Sequence, residues 1–198
     1  MAVIRLDTET RQLQIKKAVL EIIAEQGLAK LTTRNLANKV GVSEGTIFKH
    51  FKNKNEIILS IIEDVRIQLI KRQKAIAFGN NQPQDRLFEF LCTHVQYLIE
   101  NKGITILLFS EAAYFNQTEL KSQLLNILNE QRKYLSKIVN DGIKKGIWDP
   151  KIKIEKFVSL YMGIPISLNV EMILKSYNFQ ANNFCKNMIY LLERILKK

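Results

Sequence analysis

The sequence predicts an all-α chain in which a three-helix N-terminal unit of the helix-turn-helix type precedes a larger helical bundle. Three observations lead there. Only 3 prolines and 8 glycines punctuate 198 residues. Between them, nearly every segment repeats apolar residues at i, i+3, i+4 and i+7, the period of one helix face. Residues 31–58 also place two cap residues and a glycine at the offsets of two short helices joined by a tight turn.

The elements follow in order. Ile15, Ala18, Val19, Ile22 and Ile23 fill one face of a first helix over Thr8 to Gln26, with Gly27 placed to cap it. In LTTRNLANKVGVSEGTIFKHFKNKNEII, Thr32 caps a helix through Leu36, Ala37 and Val40, Gly41 supplies the positive φ of a turn, and Ser43 caps a second helix to His50. Small Ala37 and Gly41 let the two helices approach. Caps and turn serve the fold whether or not anything binds, and Phe51 is a core position. A long helix over about 54–78 carries Ile58, Ile61, Ile62, Val65 and Leu69, and stops at Gly79-Asn80-Asn81-Gln82-Pro83. The division is therefore residues 1–54 as a helix-turn-helix domain and 55–198 as a second helical domain, with the long helix linking them.

In the second domain a helix over about 84–100 has Leu87, Phe90, Leu91, His94, Val95 and Leu98 in one stripe, widened by Phe88, Cys92 and Ile99. Apolar over so much of its circumference, it belongs in the middle of a bundle. Further helices are predicted at about 104–115, 118–145, 152–177 and 181–197. A kink is expected where Gly163, Ile164 and Pro165 interrupt the fourth of these five. The last two, helices eight and nine of the chain, carry more apolar surface than one bundle face needs: Phe157, Leu160, Ile164, Leu168, Met172, Met188, Leu192 and Ile195. They are the expected two-fold dimer interface.

Several classes fall away. The apolar run from Ile104 to Phe109 is far short of the roughly 20 residues of a membrane helix, and the charged N-terminus has no apolar core of a secretory signal. A cytoplasmic protein with no membrane partner is expected. Cys92 and Cys185 are far apart in sequence, and His50 and His94 are the only histidines, so no metal set assembles on the usual spacings. Both cysteines read as reduced, buried hydrophobes. No Ser/His/Asp set and no Gly-rich phosphate loop is present, and Cys92 and His94 point to different sides of one helix. No catalytic residue, metal or cofactor is predicted.

The net charge of +11, from 30 Lys and Arg against 19 Asp and Glu, raises the expectation of a polyanionic partner. Its distribution matters more. Residues 30–54 hold 6 basic and 1 acidic side chain, and residues 132–156 hold 8 and 3, the same excess of five. The second cluster reads as a solvated face, with Lys144 and Lys145 suiting the dipole of a helix that ends before Gly146.

Residue by residue the first cluster resembles the TetR family of bacterial repressors. Gly27, Thr32, Thr33, Arg34, Leu36, Ala37, Gly41, Val42, Ser43, Thr46, Ile47, Phe48, Phe51 and Lys54 stand at the family's offsets over about the first 60 residues. Two positions depart from it: Ile23, where Phe is frequent, and Phe48, where Tyr is frequent. Phe48 lacks the hydroxyl that would reach a phosphate, but its ring can pack on sugar or a thymine methyl.

The resemblance implies a double-stranded DNA partner, bound by a dimer at a palindromic operator. Thr33, His50 and Lys54 would contact phosphates. Arg34 and Lys49 would face guanine, Glu44 a cytosine amino group and Thr46 a thymine methyl, with Gly45 permitting close approach. Lys49, Lys52 and Lys54 are alternatively a solvated charged face. It also implies a pocket for a small, mostly apolar effector, lined by Phe90, His94, Tyr97, Phe109, Tyr114, Gln131, Tyr134 and Tyr161, with His94 orienting a polar group. For each of these a plain core position is the first reading and ligand contact the second. The leading expectation is a ligand-released repressor. An architectural or adaptor protein of the same fold without an effector stands as the alternative, and a small helical enzyme is the weakest reading.

Overall fold

The computed structural model describes residues 7–26, 30–101, 118–174 and 180–197. The helix expected at about 104–115, with Phe109 and Tyr114, and the cap at Gly27 lie outside the described residues. Among the described residues every regular element is a helix, as the periodicity requires.

α1 (Thr8–Gln26) begins at Asp7. The Thr10 N–H and hydroxyl donate to the Asp7 carboxylate at 2.8 and 2.6 Å, and these bonds hold that carboxyl below its usual range. α2 (Thr33–Val40) is capped by Thr32, whose hydroxyl accepts from Asn35 N–H at 3.1 Å. It ends at Gly41 with φ +75°, where the Val42 N–H returns to the Ala37 carbonyl at 3.0 Å. α3 (Glu44–His50) follows at once. Ile15, Val19 and Ile22 of α1 share one buried core with Leu36, Ala37, Ile47 and Phe51. Lys39 ties α2 to Glu25 of α1 at 2.9 Å, and that bond holds its ammonium pKa above the ordinary lysine range.

The single linking helix expected from 54 to 78 is three pieces of one rod. α4 (Lys54–Val65) leads into a π turn (Arg66–Ile70), and α5 (Lys71–Ala77) completes it. Polar bonds fasten the rod on both sides. Lys16 of α1 meets Asp64 at 2.6 Å, and Arg66 meets Glu130 at 2.9 Å. The buried amides of Gln73 and Gln131 bond at 3.1 Å.

Pro83 occupies the first turn of α6 (Pro83–Glu100), where its missing N–H costs nothing. As its wide apolar face predicts, α6 is the central helix, packing on α5, α7 (Thr118–Lys144), α8 (Ile154–Leu174) and α9 (Ala181–Leu196). α8 runs through Pro165 as one helix. Cys92 and Cys185, remote in sequence, are both free thiols and lie where α6 meets α9; Cys185 is buried and Cys92, expected to be so, only half-buried, and burial raises both pKa values.

The expected dimer face needs a correction. Phe157, Leu168 and Leu192 are buried within the chain, and Ile164, Met172 and Met188 pack partly against the same core, so these six do not form an outward face. Leu160 and Ile195 do face outward, joined by Ile166, Val170, Leu174, Tyr190 and Leu191. On α8 the residues 160, 163, 166, 170 and 174 make one exposed stripe. Apolar residues occupy both sides of this helix, so composition could not phase it. No helix among the described residues is long and apolar enough to cross a membrane.

Candidate DNA-binding surface

The pitch and exposure of α3 are set by its caps. Ser43 Oγ accepts from Thr46 N–H at 3.2 Å and lies 3.0 Å from Thr46 Oγ1; at the other end the Phe51 N–H bonds the Ile47 carbonyl at 3.0 Å. Ile47 is buried in the head, which leaves Glu44, Gly45, Phe48 and Lys49 exposed. A Cβ on Gly45 would meet only Ser43 Oγ, at 3.8 Å. The domain's own packing therefore does not require glycine there.

Thr33, Phe48 and Lys54 line one groove of about 260 Å³, together with the buried side chains of Leu36, Ile47, Phe51 and Ile57. Thr33 is the first residue of α2 and Lys54 the first of α4, so two helix N-termini open beside the recognition helix. Such termini attract phosphate oxygens. Asn53 Oδ1 accepts from Glu56 N–H at 2.9 Å, and the Glu56 carboxylate reaches back to Lys52 N–H. That reciprocal cap fixes where α4 begins.

The remaining expected contacts divide. Arg34 is exposed on α2. Thr46 is half-buried; its hydroxyl is engaged by Ser43, leaving the methyl as its contact group. It lines a second crevice, of about 500 Å³, with Arg11, Asn38 and Val42. Arg11 was not anticipated, since one arginine in an amphipathic helix carries no signal of where it folds. His50 is half-buried with Nδ1 enclosed and without a hydrogen-bond partner, and its carbonyl accepts from Gln12 at 3.3 Å. Only Nε2 of His50 is left to meet a phosphate.

Among the described residues, Phe90, Tyr97, Tyr134 and Tyr161 of the expected effector set share the buried core. The rings of Phe90 and Tyr161 lie 5.9 Å apart. His94, one turn beyond Phe90, is fully enclosed, with Nδ1 unpartnered, and burial lowers its pKa to about 4. Tyr161 has a buried hydroxyl without a partner, and burial raises its pKa well above the ordinary value. Gln131 is instead bonded to Gln73. Tyr134 packs edge-on against Phe78 and donates to Glu130 at 3.3 Å. Tyr97 is raised by burial and by the charge of Asp64. No group of three or more potential metal ligands occurs among the described residues.

A capped turn, a second short helix with one face bare, and two helix N-termini beside it form a helix-turn-helix, here joined to a helical bundle. Residues 15–61 match the family described as bacterial regulatory proteins, tetR family. That match runs from within α1, through the capped turn and α3, to within α4. The chain is 28% identical over 136 residues to the fatty acid metabolism regulator protein of Bacillus subtilis, covering 69% of this chain and 70% of that one. It is 28% identical over 116 residues to the nucleoid occlusion factor SlmA of Haemophilus influenzae, a match covering 59% of this chain and 53% of the relative; the chain thus spans about half the length of the curated relatives first matched. In fold it is similar to the transcriptional regulator FadR from Bacillus subtilis, solved in complex with stearoyl-CoA, with a TM-score of 0.73 at 23% identity over 91% of this chain and 96% of that one.

Proposed function

We propose that this protein acts in the cytoplasm as a dimeric repressor, binding a palindromic operator and released by an effector with a long apolar portion. The observation that carries the DNA half is the groove shared by Thr33, Phe48 and Lys54 beside the exposed Arg34, Glu44, Gly45 and Lys49. Residues 1–54 form the reading head and residues 55–198 the effector and dimer domain, with α4 common to both. Backbone contacts from Thr33, Lys54 and the Nε2 of His50 position the head; Arg34, Glu44, Lys49 and the Thr46 methyl read bases. The effector class is supported by the relatives named for fatty-acid regulation. It is also supported by the paired rings of Phe90 and Tyr161 and by two enclosed polar atoms, His94 Nδ1 and the Tyr161 hydroxyl, that lack partners.

Binding of the purified protein to its own promoter region, titrated with salt, tests the reading. Lys54→Ala should weaken all sequences alike and lower the salt slope by about 1, whereas Arg34→Ala should cost roughly 1–3 kcal/mol and relax one base position. Identical behaviour of the two variants would overturn the base contact. Stearoyl-CoA should release the operator complex, and no release by any acyl-CoA would remove the effector class. The relative named as a nucleoid occlusion factor keeps the adaptor as a second reading without favouring it. That reading predicts comparable affinity for random DNA, whereas a regulator should prefer its site by at least about 10³.

A further inference from the structure

At the far end of the α4–α5 rod, roughly 35 Å along the helix from Lys54 at 1.5 Å per residue, lies a concave cup of about 380 Å³. Its walls are the turn that follows α5, with Phe78 at the rim, Arg86 of α6, and Lys137, Asp141, Lys144 and Lys145 at the end of α7. Part of the second basic cluster of the sequence is thereby folded into a cavity instead of being spread over a flat face.

The charges in the cup do not cancel. Arg86 is only 4% exposed; it donates to the Ala77 carbonyl at 2.7 Å and to Asp141 at 2.9 Å, while its Nε has no partner. Lys137 takes the same carboxylate at 2.6 Å and lies 5.7 Å from the centre of the Phe78 ring. Burial alone would raise the Asp141 pKa, but the bonds from Lys137 and Arg86 outweigh it and keep the group ionised. One carboxylate is therefore shared by two cations. Lys145 reaches only the neutral amide of Gln82, at 3.2 Å, and no hydrogen bond or ion pair occupies Lys144 among the described residues. A helix dipole accounts for lysines near the end of α7. It does not account for a buried arginine facing the same cavity with half a counter-ion.

We propose that this cup binds the phosphate groups of a small di- or polyphosphate ligand, at a site separate from the DNA-reading head. More than one unit of negative charge is needed to balance Arg86, Lys137, Lys144 and Lys145 against the lone Asp141, which favours linked phosphates over a single carboxylate. The cavity, walled by the turn on one side and the end of α7 on the other, is of a size for a small ligand beside Arg86. The site does not depend on the effector reading above.

The test uses the full chain and its only tryptophan. Trp148 packs on Gly142, the residue after Asp141, so its fluorescence reports on the cup, with calorimetry as the independent readout. Inorganic pyrophosphate, ATP and free coenzyme A are titrated at matched ionic strength. Saturable binding at one site per chain is expected. The double variant Lys144→Glu, Lys145→Glu, both exposed positions, should weaken it at least about tenfold, equivalent to about 1.4 kcal/mol, with the thermal midpoint and operator binding retained. Tightest binding by ATP or coenzyme A would identify the phosphate donor as a nucleotide or an acyl carrier; equal binding of all three would indicate free pyrophosphate. No saturable signal with any probe at millimolar concentration overturns the proposal, as does unchanged affinity in the double variant. Displacement by random duplex DNA of a signal that pyrophosphate cannot produce would make the cup part of a polyanion surface and equally overturn it.

Discussion

At the residue scale, Gly45 and His94 show opposite ways in which a single position is constrained. Gly45 has room for a Cβ within its own domain, so Gly45→Ala should raise stability by a few tenths to about 1 kcal/mol through helix propensity. The same methyl would stand between α3 and the base edges, and operator affinity should fall at least about tenfold. Thermal unfolding and a DNA-binding isotherm on one preparation check both halves; unchanged affinity would remove Gly45 from the interface. His94 is constrained from inside. Burial holds its pKa near 4 in the folded chain against an ordinary value of 6.5. Between those two pH values the unfolded chain binds the extra proton, so stability falls as pH is lowered from about 6.5 towards 4, by about 3 kcal/mol in total. Urea unfolding of the wild type and His94→Gln at pH 7 and pH 5 measures it, the variant losing that component of the slope. The caps at Thr32, Gly41 and Ser43 were legible in the sequence because each acts on amides two to five residues away. The Gln73 partner was not, because Gln131 lies on another element, nor was the crevice that Arg11 lines, because its other walls come from α2, the turn and α3.

At the scale of elements, helix boundaries were read well wherever a cap or breaker marked them and poorly wherever only packing does. α1 and the first two helices of the turn motif match the expected limits, and Pro83 opens α6 as the breaker run foretold. The π turn at Arg66–Ile70 left no trace in the sequence, since the apolar stripe of the rod continues on both sides of it. The outward phase of α8 was missed for the reason already given, an apolar circumference. Gly142 is a third case. It sits inside α7, where alanine is ordinarily better by about 1 kcal/mol, yet a Cβ there would lie 2.0 Å from Cε3 of the buried Trp148. Gly142→Ala should therefore destabilise, by about 3 kcal/mol, as overpacking of a closed site does. Chemical denaturation followed by circular dichroism checks the sign. In a Trp148→Ala background, itself costly, the added Gly142→Ala change should become neutral or stabilising, and an undiminished penalty there would mean that the indole is not the obstacle.

At the scale of the molecule, the proposed function has each head read one half-site, so the length of the specific contact would depend on what holds two heads together. The described surface offers a definite candidate. Leu160, Ile166, Val170 and Leu174 repeat along one side of α8 and are 52, 54, 41 and 76% exposed, and Tyr190, Leu191 and Ile195 of α9 are 62, 50 and 44% exposed. Large apolar side chains grouped this way mark interaction sites more often than free surface, and α8 and α9 both pack on α6, which meets the rod that begins in the head. A pairing through these helices would hold the two heads at a fixed spacing, as a palindrome requires. Leu160→Glu combined with Leu191→Glu alters two residues that the fold leaves half in solvent, so helicity should be kept while the mass by light scattering falls from dimer to monomer. Linked heads bind their second half-site at an effective concentration, and losing the link should lower operator affinity by about 10²–10⁴ without any change in the head. A variant that remained dimeric would place the interface elsewhere, and one that became monomeric yet kept full operator affinity would show that a single head suffices.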